Sequence, residues 1–265
     1  MDLDGDGRRD VLSGSWPGEL FLFRGGKDGA FLSPEKLKDR DGRSINIGGG
    51  IRPEGFREGL LVAGDVATEQ RDGKTVWIYE GKVLDVPAGK SVATTGTASS
   101  VQAADFDGDG DLDLVVGDIG GSVYLVPNEG TARAWAFGPH RPLLAGGSPV
   151  KVAGDAGPCV ADWDGDGRPD LLVGAGDGSV ALFRNFGKEK GVVLEAGRVL
   201  VPPCGKAGGE TVRPGMRAKV AVADWNADGR PDLLLGDFSS GAEREYHGWV
   251  WLYARKAVPA PDAAR

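Results

Sequence analysis

Four copies of one nine-residue acidic loop constrain this chain more than any other feature. They read Asp2-Leu-Asp-Gly-Asp-Gly-Arg-Arg-Asp10, Asp105-Phe-Asp-Gly-Asp-Gly-Asp-Leu-Asp113, Asp162-Trp-Asp-Gly-Asp-Gly-Arg-Pro-Asp170 and Asp224-Trp-Asn-Ala-Asp-Gly-Arg-Pro-Asp232. Each places oxygen-bearing side chains at loop positions 1, 3, 5 and 9. Carboxylates packed this closely repel one another unless a cation sits among them. Hard oxygen ligands in a flexible loop suit calcium better than a transition metal.

The spacing has a geometric logic. Position 6 is glycine in every copy (Gly7, Gly110, Gly167, Gly229), as a sharp turn at positive φ around an ion requires. Position 7 is expected to offer its backbone carbonyl, leaving its side chain free to vary. The candidate ligands are Asp2, Asp4, Asp6, Arg8 and Asp10; Asp105, Asp107, Asp109, Asp111 and Asp113; Asp162, Asp164, Asp166, Arg168 and Asp170; and Asp224, Asn226, Asp228, Arg230 and Asp232. The expectation is about four calcium ions, with Asn226 and Ala227 weakening the last site. An EF-hand would need a bidentate Glu at position 12 and a helix on each side. Position 12 is Ser13, Val116, Val173 or Leu235, and an aliphatic strand follows. Plain acidic turns are the bland alternative, because Asp-Gly is common in turns. Four copies in register argue against it.

The loops belong to a longer repeat. A glycine closes an aliphatic run at Gly14, Gly64, Gly117, Gly174 and Gly236, at intervals of 50, 53, 57 and 62 residues. The second unit keeps the run Leu60-Leu-Val-Ala-Gly64 but has Leu60 where position 9 should be Asp, so its ion is expected to be lost. A second strand follows each glycine, as in Glu19–Phe23, Thr75–Tyr79, Ser122–Val126, Ser179–Phe183 and Trp249–Tyr253. A weaker third strand follows (Val192–Glu195, Arg198–Val201), and another leads into each loop (Ser100–Ala104, Pro158–Ala161, Lys219–Ala223). No long stretch has a 3.6-residue apolar period. Four strands in 50 to 60 residues predict an all-β chain, a β-propeller of four-stranded antiparallel blades. The expected blades span about 1–42, 43–96, 97–150, 151–208 and 209–256 of a single propeller over 1–265, with 257–265 a tail. No strand is evident before the first loop or after Tyr253. The chain therefore reads either as a piece of a larger propeller or as an incomplete five-blade ring.

The pattern Asp-x-Asp-Gly-Asp-Gly-x-x-Asp-aliphatic-aliphatic-x-Gly resembles the FG-GAP repeat, also described as the VCBS repeat. Members include the propeller of integrin α subunits and many bacterial surface or secreted proteins. The resemblance implies calcium in the loops and a propeller, commonly of seven blades; this chain shows five units.

Composition fits that expectation. The net charge is −8, and fifteen carboxylates occupy the ligand positions, so four dications would bring the chain close to neutral. No basic stripe suggests nucleic acid. No apolar run is long enough to span a membrane, and no signal peptide is visible. Calcium is millimolar outside cells, where weak sites fill, so an extracellular, periplasmic or cell-surface location is expected. Cys159 and Cys204 could form one disulfide there, or remain two thiols.

No catalytic constellation is evident. His140 and His247 are isolated in loops. The expected role is therefore a binding, adhesion or scaffold module for a protein or glycan ligand, with a polysaccharide lyase or hydrolase as the alternative. Trp163 and Trp225, at loop position 2, are expected to pack between blades, as are Trp249 and Trp251. Asp65, Asp118 and Asp237 are expected to form turns. The turns after the second strand lie at the end opposite the ions, and two are long, Asp65–Lys74 and Asp237–Gly248. Trp16 and Tyr246 on that face are the candidate ligand contacts.

Overall fold

The computed structural model describes residues 2–15, 18–27, 29–47, 59–62, 66–71, 74–79, 82–83, 91–94, 100–187, 191–204, 215–240 and 246–256. Among the described residues all regular structure is β, and none is α-helical.

The first sheet joins β1 (Val11–Gly14), β2 (Leu20–Phe23) and β3 (Glu35–Lys36) as an antiparallel meander. Next come β4 (Gly59–Val62), β5 (Val66–Arg71), β6 (Lys74–Tyr79), β7 (Lys82–Val83) and β8 (Ser91–Thr94). The second complete sheet is β9 (Ser100–Ala104), β10 (Asp113–Gly117), β11 (Val123–Val126) and β12 (Arg141–Pro142), in consecutive order. After the small hairpin β13 (Leu144–Ala145) and β14 (Ser148–Pro149), the third repeats it with β15 (Gly157–Ala161), β16 (Asp170–Gly174), β17 (Val180–Phe183) and β18 (Arg198–Val201). The last contains β19 (Met216–Ala223), β20 (Asp232–Ser240), β21 (Tyr246–His247) and β22 (Val250–Tyr253). Each acidic loop after the first joins the leading strand of its sheet to the next strand, as the sequence indicated.

These sheets stack face to face, which explains why β10 and β16 are aliphatic without alternation. Successive side chains point to opposite faces, and both faces are covered. Leu114 and Val116 face the first sheet, packing with Leu20, Leu22, Leu37 and Ile47, while Val115 turns the other way. It meets Leu171, Val173 and Phe183 of the following sheet. That sheet in turn sends Leu172, Val180 and Leu182 against Leu233 and Leu235. Each such side chain gains about 1.5–3 kcal/mol from burial.

The second unit departs from expectation in two ways. Its first strand β4 pairs with β8 in parallel, not antiparallel with β6, which is hairpinned to β5 instead. Nor do the described residues of 43–96 insert a sheet between the first sheet and β9–β12. Those two are in direct contact: β1 meets β9 just as β10 meets β15 and β16 meets β19. Arg40 pairs with Glu129 and its amide donates to the Phe137 carbonyl at 3.0 Å, while the Arg24 guanidinium lies over Trp135. The stack therefore steps from the first unit to the third. The two long turns are also strand in part: 66–71 is β5, and β20 runs on to Ser240 to pair with β21, which contains His247.

The last sheet leaves one face open. Val123 and Val180 are fully buried, whereas Val250, at the same repeat position, is 75% exposed. Leu252 and Tyr253 are exposed too. The loop-position-2 residues show the same break. Leu3 and Phe106 are buried and Trp163 packs against the last sheet, but Trp225 is 64% exposed, because no described sheet follows it. Trp249 is exposed as well, and of the strand's tryptophans Trp251 alone packs between sheets.

Both thiols are free, Cys159 buried and Cys204 half-buried. Burial pushes the Cys159 thiol up to about 11. A thiol reagent at pH 8 should therefore label one cysteine per native chain, lost in Cys204→Ser, with Cys159 labelling after unfolding. The repeat glycines supply a second prediction. A Cβ on Gly174 would lie 2.2 Å from the Ala218 carbonyl oxygen, and one on Gly117 2.2 Å from that of Ala156. At Gly236 the nearest atom would be 3.8 Å away. Gly174→Ala should cost about 3 kcal/mol in urea unfolding, and Gly236→Ala less than about 0.5 kcal/mol.

Candidate metal centres

Each acidic loop is wound by its own carboxylates. The position-1 Asp accepts the position-6 glycine amide, at 2.8 Å (Asp2), 3.2 Å (Asp105), 2.9 Å (Asp162) and 2.8 Å (Asp224). Position 3 accepts from the amide of position 5, and position 5 from that of position 7, in all four copies. The glycines at position 6 have φ between 82° and 98°. Position 4 is also left-handed: Gly5, Gly108 and Gly165, but Ala227 at φ 58° in the last loop.

Winding turns the remaining lone pairs inward. One oxygen from each of Asp2, Asp4 and Asp6 lies within 4.8 Å of the others; the same holds for Asp105, Asp107 and Asp109, and for Asp162, Asp164 and Asp170. An all-oxygen donor set with no nitrogen or sulfur fits a hard divalent cation such as calcium. The fourth loop, with Asn226, forms no such three-carboxylate group among the described residues.

Position 9 does a second job. Asp10, Asp113, Asp170 and Asp232 are buried. Their Oδ1 atoms accept amides from Gly25 (2.9 Å), Asn128 (2.8 Å), Asn185 (2.8 Å) and Arg255 (2.7 Å), just beyond the end of the neighbouring strand. Their Oδ2 atoms accept the position-2 amide in three loops, from Leu3 (2.8 Å), Trp163 (3.1 Å) and Trp225 (3.1 Å). Asp113 differs. Its Oδ2 is buried without a hydrogen bond; the Phe106 amide lies near enough to lower the carboxyl's pKa somewhat but closes no bond.

The position-7 side chain varies, as expected, but where it is arginine it takes part in the loop. Arg8, Arg168 and Arg230 each pair with the position-5 Asp of their loop. Arg8 and Arg168 also donate from Nε to the carbonyls of Gly25 (2.7 Å) and Asn185 (3.0 Å). Two further arginines escaped notice: Arg24 pairs with Asp4, and Arg184 with Asp164. Both stand fourteen residues after the position-9 Asp, a spacing visible in the sequence once the hairpin is known. The same place holds Pro127 in the second loop, whose position 7 is Asp111. Carboxylates there press on one another. Burial, then repulsion from Asp109, raises Asp107, and burial above all pushes Asp113 up to about 6. Burial raises Asp170 too.

Asp118 forms the expected turn, its Oδ1 accepting the Ser122 amide at 2.8 Å. Asp237 ties Trp249 N and Trp251 Nε1, both at 2.8 Å. Trp16 and Asp65 lie outside the described residues. The Tyr246 backbone is in β21, and its side chain is outside the description. His140 packs edge-on against Tyr124, with ring centroids 5.6 Å apart. One groove of about 390 Å³ is lined by Leu125, Arg141, Pro142, Leu143, Leu144, Pro149 and Val192. A smaller one, of about 180 Å³, includes Trp163, Leu233, Tyr253 and Arg255.

Two measurements check the loop electrostatics and strain. Relieving left-handed Ala227 in Ala227→Gly should stabilise the chain by about 0.5–1 kcal/mol. Burial raises the Asp113 carboxyl above its unfolded value near 4, so folding favours the protonated form. That contribution is fully present below about pH 4 and is lost as pH rises through about 6. In chelator, the wild type should melt close to Asp113→Asn at pH 4 and progressively below it by pH 7.5.

Known proteins share the pattern. A family profile described as an FG-GAP-like repeat matches residues 60–116, 105–173 and 162–235. Human integrin alpha-7 is 33% identical over 161 residues, 56% of this chain. Mouse integrin alpha-7 is 32% identical over 163 residues. The matched part spans 13% of the length of these relatives. A solved Agrocybe aegerita lectin, described as recognising non-reducing terminal N-acetylglucosamine, covers 93% of this chain and 63% of its own at 18% identity, with a TM-score of 0.37; a likeness that slight carries no argument. The profile covers most of the chain and takes in three of the four wound loops, those at 105–113, 162–170 and 224–232: the chain belongs to the FG-GAP-like repeat family.

Proposed function

We propose that this chain is a calcium-stabilised β-propeller module over 1–265, a whole ring or a piece of a larger one, that binds a protein or glycan partner outside the cell, at a cell surface or in a periplasm. The observation that carries this reading is the set of three convergent carboxylate groups, each at the start of a strand in a stacked antiparallel sheet. Ions there would be held by positions 1, 3, 5 and 9, would neutralise clustered charge and would fix the hairpin beneath. Kinship with an integrin α chain supports an adhesive role and an exported location. Binding rather than chemistry accords with the two grooves, each lined by apolar residues and a single arginine. In each meander the ion loop and the following turn lie at opposite ends of the strands, so ligand recognition is assigned to the end away from the ions, with Trp16 and Tyr246 as its contacts.

The test is a thermal melt in calcium against chelator. At a hundredfold excess over Kd, one site adds about 2.7 kcal/mol, which for a chain of this size raises Tm by roughly 5–10 °C. An unchanged Tm sinks the calcium reading. A glycan and extracellular-protein array, run with and without calcium, then reads the ligand. Loss of the hit in Trp16→Ala/Tyr246→Ala supports the assigned face, and full retention removes it.

A further inference from the structure

The cages differ in how their charge is answered, although their sequences are nearly alike. In the loop 2–10, Arg8 and Arg24 pair with Asp6 and Asp4. In the loop 162–170, Arg168 and Arg184 do the same with Asp166 and Asp164. In the loop 224–232, Arg230 pairs with Asp228, and position 3 is the neutral Asn226. Between positions 1 and 9, the loop 105–113 carries five aspartates and no basic residue, and none of the five makes an ion pair among the described residues. Arg141 acts on Asp107 only from a distance.

A second observation singles out the same loop. Asp113 Oδ2 and Arg230 Nε are the buried side-chain polar atoms left without a hydrogen-bond partner among the described residues. A buried carboxylate oxygen with nothing to bond costs free energy unless a cation or water meets it. Asp113 closes the same loop as Asp105, Asp107 and Asp109, and the charges of Asp107 and Asp109 act on its carboxyl.

We infer that the loop 105–113 is the principal cation site, first to fill and last to empty, and that Arg24 and Arg184 are affinity-setting residues that weaken the loops on either side of it in the stack. The inference rests on the calcium reading above and deepens it. An arginine on a position-3 carboxylate holds the empty loop together and takes one oxygen's charge, so an arriving dication gains less there. Among the described residues the loop 105–113 has no such substitute, so an arriving dication gains the full attraction there. Arginine thus makes two loops stable without an ion, while the middle loop depends on one.

Calorimetric titration of the full chain with calcium alone tests this. The expected result is one tight site followed by weaker ones. Asp107→Asn/Asp109→Asn should abolish the tight class and leave the weak ones. Arg184→Gln, which keeps length and polarity, should tighten the loop 162–170 by about tenfold, equivalent to about 1.4 kcal/mol. In chelator the same variant should melt at a lower temperature than the wild type, a loss reversed by calcium. Equal affinity at all sites, a tight class that survives Asp107→Asn/Asp109→Asn, or unchanged binding by a folded Arg184→Gln overturns the inference and leaves the calcium reading standing. No binding at millimolar calcium overturns both.

Discussion

A buried aspartate at the end of each acidic loop holds three pieces of chain at once. It closes its own acidic loop, it accepts an amide from just past the neighbouring strand, and in three loops it also accepts the amide of loop position 2. A carboxylate tied this way fixes where the hairpin begins and how the loop is aimed. It also fixes the strand register, since a one-residue slip would reverse every side chain between faces. The aliphatic run that follows can then be buried on both sides.

Burial on both sides requires a sheet before and a sheet after. That requirement is met for β9–β12 and for β15–β18, and the close approach of the next sheet leaves no room for a side chain at Gly117 or Gly174. At the last sheet the same positions are open, and Trp225, Val250 and Leu252 lie exposed. These residues follow a repeat pattern whose packing partner is not among the described residues. Their exposure comes from their place in the stack, because the chemistry matches that of their buried counterparts.

Much of this was legible in the residues. The loops, the strands around them, the left-handed glycines and the loss of the acidic loop from the second unit follow from short-range chemistry: charge repulsion, glycine's freedom at positive φ and aliphatic strand runs. The second unit showed the limit. Leu60-Leu-Val-Ala-Gly64 looks like its relatives, yet β4 pairs in parallel with β8, and the first sheet packs directly on the third unit. Without the buried aspartate, nothing local obliges that strand to hairpin with its neighbour. The arginines escaped for a similar reason: Arg24 and Arg184 reach their loops only after the hairpin folds back.

The sequence by itself determined the loop chemistry and the all-β character, because each depends on residues close together in the chain, and the repeat, because it is that local pattern recurring. Tertiary structure alone decided which units stack, which of the tryptophans Trp163, Trp225, Trp249 and Trp251 are covered, and which acidic loop lacks a counter-charge among the described residues. Those outcomes depend on segments far apart in the chain that meet only when the sheets pack, and no local pattern encodes which segment arrives.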